Sequence, residues 1–100
     1  MRAAHTAIPR ALALVEALAG HEVTGMRLRD ISAAVGVIES TALRDLRRLE
    51  SSGWAQQMED GRWRLASRPI QCLLNFQNGL AEAENRVAEV RRNYTRTPSL

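Results

Sequence analysis

Arginine side chains dominate one face of a predicted helix in the middle of this 100-residue chain. Ala42, Leu46 and Leu49 follow helical spacing, which predicts that they are buried. The opposite side carries hydroxyl and guanidinium groups: Ser40, Thr41, Arg44, Arg47 and Arg48. Hydroxyls bind phosphates or bases, and a guanidinium fork matches O6 and N7 of guanine. This combination of groups predicts a helix that contacts a nucleic acid.

Position along this helix gives each charged residue an expected role. Arg44 lies nearest the N-terminal half, which enters the major groove deepest, so we expect it to read bases. Arg47 and Arg48 lie further along and are expected to bind phosphates. Glu39, at the helix start, could accept a hydrogen bond from cytosine N4 or cap the helix.

A plainer interpretation fits the same arginines. Charged helix faces are usually solvated, and Asp45, Glu50 or Glu59 could then be the ion-pair partners. We favour nucleic-acid contact because of what surrounds this helix in the sequence.

Two helices are predicted before the arginine-rich one. The first starts near Pro9, and its apolar stripe consists of Leu12, Val15 and Leu18. The second spans about 28–35, and the third opens at Ser40 or Glu39. The three helices end at glycines, which are Gly20, Gly36 and Gly53. A short helix, a turn and a helix with one polar face are typical of a helix-turn-helix.

A β-hairpin is predicted after the third helix. The dipeptide Asp60-Gly61 lies between two short segments, which is a strong hairpin signal. In the second segment Trp63 and Leu65 alternate with arginines, so one face is apolar and the other basic. A hairpin in this place is the wing of a winged helix-turn-helix.

Further arginines are expected to add phosphate contacts. Arg27 and Arg29 stand at the start of the second helix, and Arg62 and Arg64 lie on the wing. Arginine on a wing is favoured by the negative potential of the minor groove.

Three stretches carry a resemblance to a known family: 28–37 (LRDISAAVGV), 40–54 (STALRDLRRLESSGW) and 61–65 (GRWRL). They resemble the winged helix-turn-helix of IclR-type transcriptional regulators over roughly residues 8–70. The resemblance implies DNA binding. Ile38 and Glu39 depart from the proline and the basic or polar residue that the family often has. The family's large C-terminal effector domain has no counterpart here, so we expect no small-molecule effector.

The last predicted helix carries a heptad seam. Apolar residues recur at alternating spacings of three and four: Leu73, Phe76, Leu80, Ala83, Val87, Val90 and Tyr94. The seam predicts a homodimer, which would bind two half-sites. In a parallel pair Arg86 would face Arg91, whereas an antiparallel pair centred near Val87 sets Glu84 against Arg91, and we favour the latter. Alternatively, the start of this helix packs on the winged domain and the rest frays.

Composition excludes several other classes. All 14 basic residues are arginine against 11 acidic ones, and the net charge of +3 points only weakly to an anionic partner. A single cysteine, Cys72, excludes an internal disulfide and a thiolate metal site. No catalytic or metal-ligand constellation is evident, so we expect no enzyme, cofactor or metal. The N-terminal segment has no run apolar enough for a signal peptide or a membrane span, so we expect a cytoplasmic protein without a membrane partner.

These observations predict a mainly α fold with a small β-hairpin, namely a winged helix-turn-helix followed by a long C-terminal helix. The expected divisions are a flexible arm over 1–8, the winged domain over 9–68, a dimerisation helix over 69–94 and a frayed tail over 95–100. We expect a homodimeric regulator that binds double-stranded DNA sequence-specifically in a bacterium or phage. Repression is the default because it needs only occupancy of a promoter.

The alternative is a winged helix that binds another protein, such as a phage-type adaptor or inhibitor. Acidic residues where phosphates would approach favour it, namely Glu39, Glu59 and Asp60.

Overall fold

The computed structural model describes residues 6–96. Within this range the elements in chain order are α1 (Ala7–Leu18), α2 (Leu28–Val35), α3 (Glu39–Ser51), β1 (Ala55–Gln57), β2 (Trp63–Leu65) and α4 (Ser67–Thr95). This confirms the predicted mainly α fold with one hairpin and a long last helix. By its internal contacts the chain divides into two units, Met1–Pro69 and Ile70–Leu100. The remainder of the predicted arm and of the predicted tail, residues 1–5 and 97–100, lies outside the described residues.

The buried face of α1 matches the predicted stripe only at Leu18. Leu14 and Leu18 are fully buried, whereas Leu12 is 59% exposed. Val15 is only half-buried, and Ala7 already belongs to the helix, two residues before Pro9. Most residues of α1 are apolar, so periodicity alone did not distinguish the two faces. The buried face consists instead of Leu14 and Leu18, which follow Arg10 along the helix at spacings of four residues.

The core of the first unit lies between α1, α2, α3 and the hairpin. Its largest fully buried side chains are Trp63, Leu14, Leu18, Ile31 and Leu46. Val35 and Ala55 complete the cluster, and Leu28, Leu43 and Leu49 are half-buried against it. An aliphatic cluster around a single indole therefore joins every element of this unit.

One buried serine fixes the turn between α2 and α3. Gly36 adopts the left-handed conformation at φ 80° and its N–H donates to the carbonyl of Ser32 at 2.9 Å. The same carbonyl accepts from the N–H of Val37, while the Ser32 hydroxyl donates to the carbonyl of Val37. Ser32 is therefore on the buried side of α2, whereas Ala34 is exposed. This network ends α2 and sets where α3 begins.

The loop before α2 pairs with the wing. Strands β1 and β2 are antiparallel, with Ala55 opposite Leu65 and Gln57 opposite Trp63. On the other edge of β2, Met26 and Trp63 exchange two backbone hydrogen bonds of 2.8 Å each. Met26 therefore extends the two-stranded hairpin by one paired residue, and this pairing holds the hairpin against the helices.

Helix α4 within the second unit exposes its apolar side chains. Leu73, Phe76, Leu80, Val87, Val90 and Tyr94 are all exposed, from 49% at Leu80 to 87% at Tyr94. Ala83 is exposed as well. In the part of the chain that the structure describes, no helix is both long and apolar enough to cross a membrane.

Gly25 is expected to be the most sensitive glycine of the loop. It has φ +74°, and a Cβ there would lie 2.6 Å from the sulfur of Met58 and 3.1 Å from the carbonyl oxygen of Trp63. Gly25→Ala should lower the free energy of unfolding by about 2 kcal/mol, through both backbone strain and overpacking. Gly20→Ala is the matched control, because Gly20 has φ +93° but open space around it. Equal losses in urea unfolding would show that the close approach at Gly25 does not matter.

Candidate nucleic-acid interface

Helix α3 separates its side chains into an inner and an outer side. Ala42, Asp45 and Leu46 are buried. The outer side presents Glu39, Ser40, Arg44, Arg47 and Arg48 as exposed residues, with Thr41 half-buried beside them. The residues singled out by their spacing therefore lie on one surface, which we call the α3 outer face.

Arg44 stands apart from the other arginines of the α3 outer face. Its side chain is exposed and makes no hydrogen bond or ion pair with any other residue between 6 and 96. Ser40 precedes it by one helical turn, so a hydroxyl lies next to the guanidinium. This patch can donate several hydrogen bonds to an external acceptor without breaking a contact within the chain.

Arg47 is held by the wing. Its Nη1 atom donates to Oε1 of Gln57 at 2.8 Å and to Oε1 of Glu50 at 3.2 Å. The guanidinium also lies over the ring of Trp63, 5.1 Å from the centroid. The pairing with Glu50 is the one that the solvated-face interpretation anticipated. Arg47 thus connects α3 to both strands of the hairpin, and a phosphate would have to compete with these partners.

A buried ion pair, which the sequence did not predict, lies beneath the α3 outer face. Asp45 accepts from Nε of Arg10 at 2.7 Å and from its Nη2 at 3.4 Å. The two side chains are only 5% and 12% exposed, and the hydrogen bond raises the pKa of Arg10 above its usual value. The sequence does indicate that Asp45 needs a partner, because a carboxylate three residues after Ala42 falls on the buried side of α3.

Arg48 is nearly free by comparison. Its Nη1 lies 3.9 Å from Oδ1 of Asp45, and its side chain is 68% exposed. A contact of that length on an exposed side chain contributes little to stability. The guanidinium is therefore available to an external anion.

Asp45→Ala should be far more damaging than the loss of a surface charge. It removes a buried carboxylate that accepts two hydrogen bonds from α1, so we expect the midpoint of thermal unfolding to fall by about 10 °C. Glu50→Ala is the control, since the Arg47–Glu50 pair is exposed on both sides. Circular dichroism melting curves of the two variants measure the difference. Similar small shifts would mean that the Arg10–Asp45 pair does not anchor α3.

The start of α3 has no side-chain cap. Ile38 occupies the N-cap position, and Glu39 is the first helical residue. The capping role considered for Glu39 is therefore wrong. Its exposed carboxylate lies in the first turn, where the helix dipole favours a negative charge.

The wing arginines donate hydrogen bonds to the loop before α2. Arg62 donates through Nη1 to the carbonyl of Thr24 at 3.4 Å. Arg64 donates to Oε1 of Gln56 at 3.1 Å and to the carbonyl of Glu22 at 3.3 Å. Both are half-buried, a structural role that the alternating sequence did not indicate.

The two other candidate arginines lie at the start of α2. Arg27 is the N-cap residue of α2, and both it and Arg29 are exposed. Arg27 lines one shallow pocket with Arg62 and Asp60. Over the described range, no group of three or more histidine, cysteine or acidic side chains could hold a metal ion.

Three helices with a tight turn between α2 and α3, followed by a hairpin, define a winged helix-turn-helix protein. Residues 7–59 match the family described as the IclR helix-turn-helix domain. The chain belongs to this family, as its sequence resemblance indicated.

A solved structure shows the same fold. The chain is similar to an IclR homolog from Microbacterium sp. strain HM58-2, with 20% identity and a TM-score of 0.65 over 88% of this chain. It spans only 37% of the length of that homolog. It is also similar to the transcriptional regulator SlyA, with 18% identity and a TM-score of 0.46 over 87% of this chain and 75% of that one. No curated protein matches the sequence.

Proposed function

We propose that this protein is a sequence-specific transcriptional regulator that binds double-stranded DNA through the α3 outer face and acts as a homodimer. Membership in the IclR helix-turn-helix family supports the DNA-binding class. The single observation that carries the proposal is Arg44, an exposed arginine without a partner among the described residues on the helix that such domains insert into the major groove.

Arg44 is suited to reading a base. Its guanidinium can donate two parallel hydrogen bonds to O6 and N7 of one guanine. Ser40 and Thr41, one turn earlier, can donate to a neighbouring base or phosphate. Glu39 can accept from cytosine N4, a role that its freedom from capping leaves open.

In this proposal the surrounding arginines contact the phosphates. Arg48 is the best placed of them, because its only ion pair within the described chain is long. Arg27 and Arg29 flank the start of α2, and Arg62 and Arg64 extend the basic surface along the wing. Arg47 acts differently in this proposal, because its contacts with Gln57 and Trp63 set the position of the wing relative to α3. Such contacts orient the protein on the duplex and make its affinity depend on salt.

The regulatory behaviour proposed is repression by occupancy. A bound dimer blocks a promoter without needing a contact with polymerase, and no effector is required for this. The protein would act in the cytoplasm and respond to its own concentration.

A second candidate function is binding to another protein. It is favoured by the intramolecular ties of Arg47, Arg62 and Arg64 and by three acids near the surface that DNA would approach, Glu39, Glu59 and Asp60. A winged helix of this kind would use its helix face as a docking surface. The two candidates differ in whether DNA binds at low salt.

Arg44→Ala should weaken binding to the preferred DNA site by about 10- to 100-fold and relax discrimination at one base pair. The preferred site is first selected from random double-stranded oligonucleotides, and fluorescence anisotropy then measures affinity for its single-base variants. The unfolding temperature should not change, because Arg44 holds no other described residue in place. Equal affinities of variant and parent for every site would contradict the base-reading role.

Arg48→Ala serves as the matched comparison in the same assay. It should weaken binding to all sites alike and reduce the salt slope by about one. If the parent protein binds no DNA even at low salt, the second candidate function replaces the first.

Val87→Glu should convert the dimer into a monomer, because it puts a charge into the α4 seam. Sedimentation velocity at micromolar concentration distinguishes the two states. Asn85→Glu, on the opposite side of α4, is the control and should remain dimeric. A parent protein that sediments as a monomer would make the dimer part of the proposal wrong while leaving DNA binding to its own test.

A further inference from the structure

We propose that α4 binds the α4 of a second copy in antiparallel orientation, with Glu84 of one chain opposite Arg91 of the other. This inference rests on the homodimer of the proposed function and adds its direction and register. The observations that carry it are the exposed seam of α4 and the order of its charges.

The seam of α4 is apolar and continuous. The helix runs unbroken from Ser67 to Thr95. Its seam residues, from Leu73 to Tyr94, are all exposed. A stripe with strict heptad spacing fits the same stripe of another helix better than it fits a flat surface, because each side chain inserts between four residues of the partner. A second copy supplies an identical stripe.

From residue 70 to residue 96 the sequence divides by charge into three consecutive blocks. Residues 70–81 carry none. Residues 82–89 are acidic, with Glu82, Glu84 and Glu89 against Arg86. Residues 90–96 are basic, with Arg91, Arg92 and Arg96 and no acid. A parallel pair in register sets each block beside itself, whereas an antiparallel pair sets the acidic block beside the basic one.

The parallel pair has a specific defect next to the seam. Arg86 and Arg91 occupy the two flanking positions that face each other across a parallel interface, five residues apart. Two-fold symmetry creates this contact twice, so two pairs of like charges would line the same short interface. No acidic residue occupies a flanking position from which it could face either arginine in that arrangement.

The antiparallel pair replaces repulsion by attraction. When Val87 lies opposite Val90 of the second copy, Glu84 falls opposite Arg91, and symmetry again makes the contact twice. In the same register Ala83 lies opposite Tyr94, so the smallest seam residue meets the largest. Alternation of small and large side chains fills the space between two helices without a cavity.

This register leaves the first part of each α4 outside the overlap. The helices pair over about residues 80–96, and the two copies of Cys72 lie towards opposite ends of the pair. A rise of 1.5 Å per residue separates their Cα atoms by about 50 Å, against about 10 Å in a parallel pair. Cys72 is exposed and is the one cysteine of the chain, so it accepts a spin label without any substitution.

The first test is the direction in which a charge reversal changes dimer affinity. Arg91→Glu should raise the dimer dissociation constant about tenfold in sedimentation equilibrium of the full chain, because two attractive pairs become repulsive. A parallel dimer would respond in the opposite sense, since the reversal would relieve the repulsion from Arg86. Combining Glu84→Arg with Arg91→Glu should restore the parent affinity. Arg92→Glu, which faces away from the seam, is the control and should change the affinity less than twofold.

The second test measures distance. Double electron–electron resonance between labels on the two Cys72 residues should give about 50 Å. A distance below about 20 Å would overturn the antiparallel orientation. A distance near 40 Å would place the pair one heptad away and overturn the Glu84–Arg91 register. Either result in a protein that sediments as a dimer rejects this inference alone, whereas a monomer rejects the dimer as well.

Discussion

Trp63 is the residue through which the wing, the loop before α2 and the helix α3 are held in one arrangement. Its indole is fully buried among the side chains of the core, and its backbone exchanges two hydrogen bonds with Met26. The guanidinium of Arg47 lies over the same ring and reaches Gln57 on the neighbouring strand. A short hairpin is marginally stable by itself, so these contacts are what give the wing a defined position. The placement of the wing relative to α3 depends on these contacts of Trp63 and Arg47.

The inner side of α3 fixes the helix against the rest of the domain, whereas its outer side is exposed. On the inner side the Arg10–Asp45 pair and the apolar residues fix the helix against α1. A buried ion pair adds little net stability, but its geometry is specific, and it fixes rotation of a helix that apolar contacts alone would leave less defined. Arg47 is the exception to this separation, because it is exposed and yet belongs to the wing contact.

Local features of the structure were predictable, and contacts between distant residues were not. The bounds of α2, the turn at Gly36 and the hairpin follow from periodicity and from backbone conformations that glycine favours. The buried face of α1 did not follow, because Leu12 and Leu14 are equally apolar and only packing distinguishes them. Arg10 and Asp45 are 35 residues apart, so nothing in either segment alone specifies the pair. The ties of Arg62 and Arg64 to loop carbonyls were hidden for the same reason, since they depend on where the loop lies. The residues of the α3 outer face could be predicted from their spacing. Which of its arginines have partners within the chain could not be predicted.

The position of Arg44 and Ser40 also bears on how such a domain changes during evolution. Neither side chain supports the core, so most replacements there should leave stability unaffected and change only what the outer face recognises. Substitutions at Asp45, Ser32 or Trp63 meet the opposite constraint, because each would disturb the scaffold first. Duplicated copies of this chain could therefore diverge to different targets through a few exposed positions while the same framework is inherited unchanged.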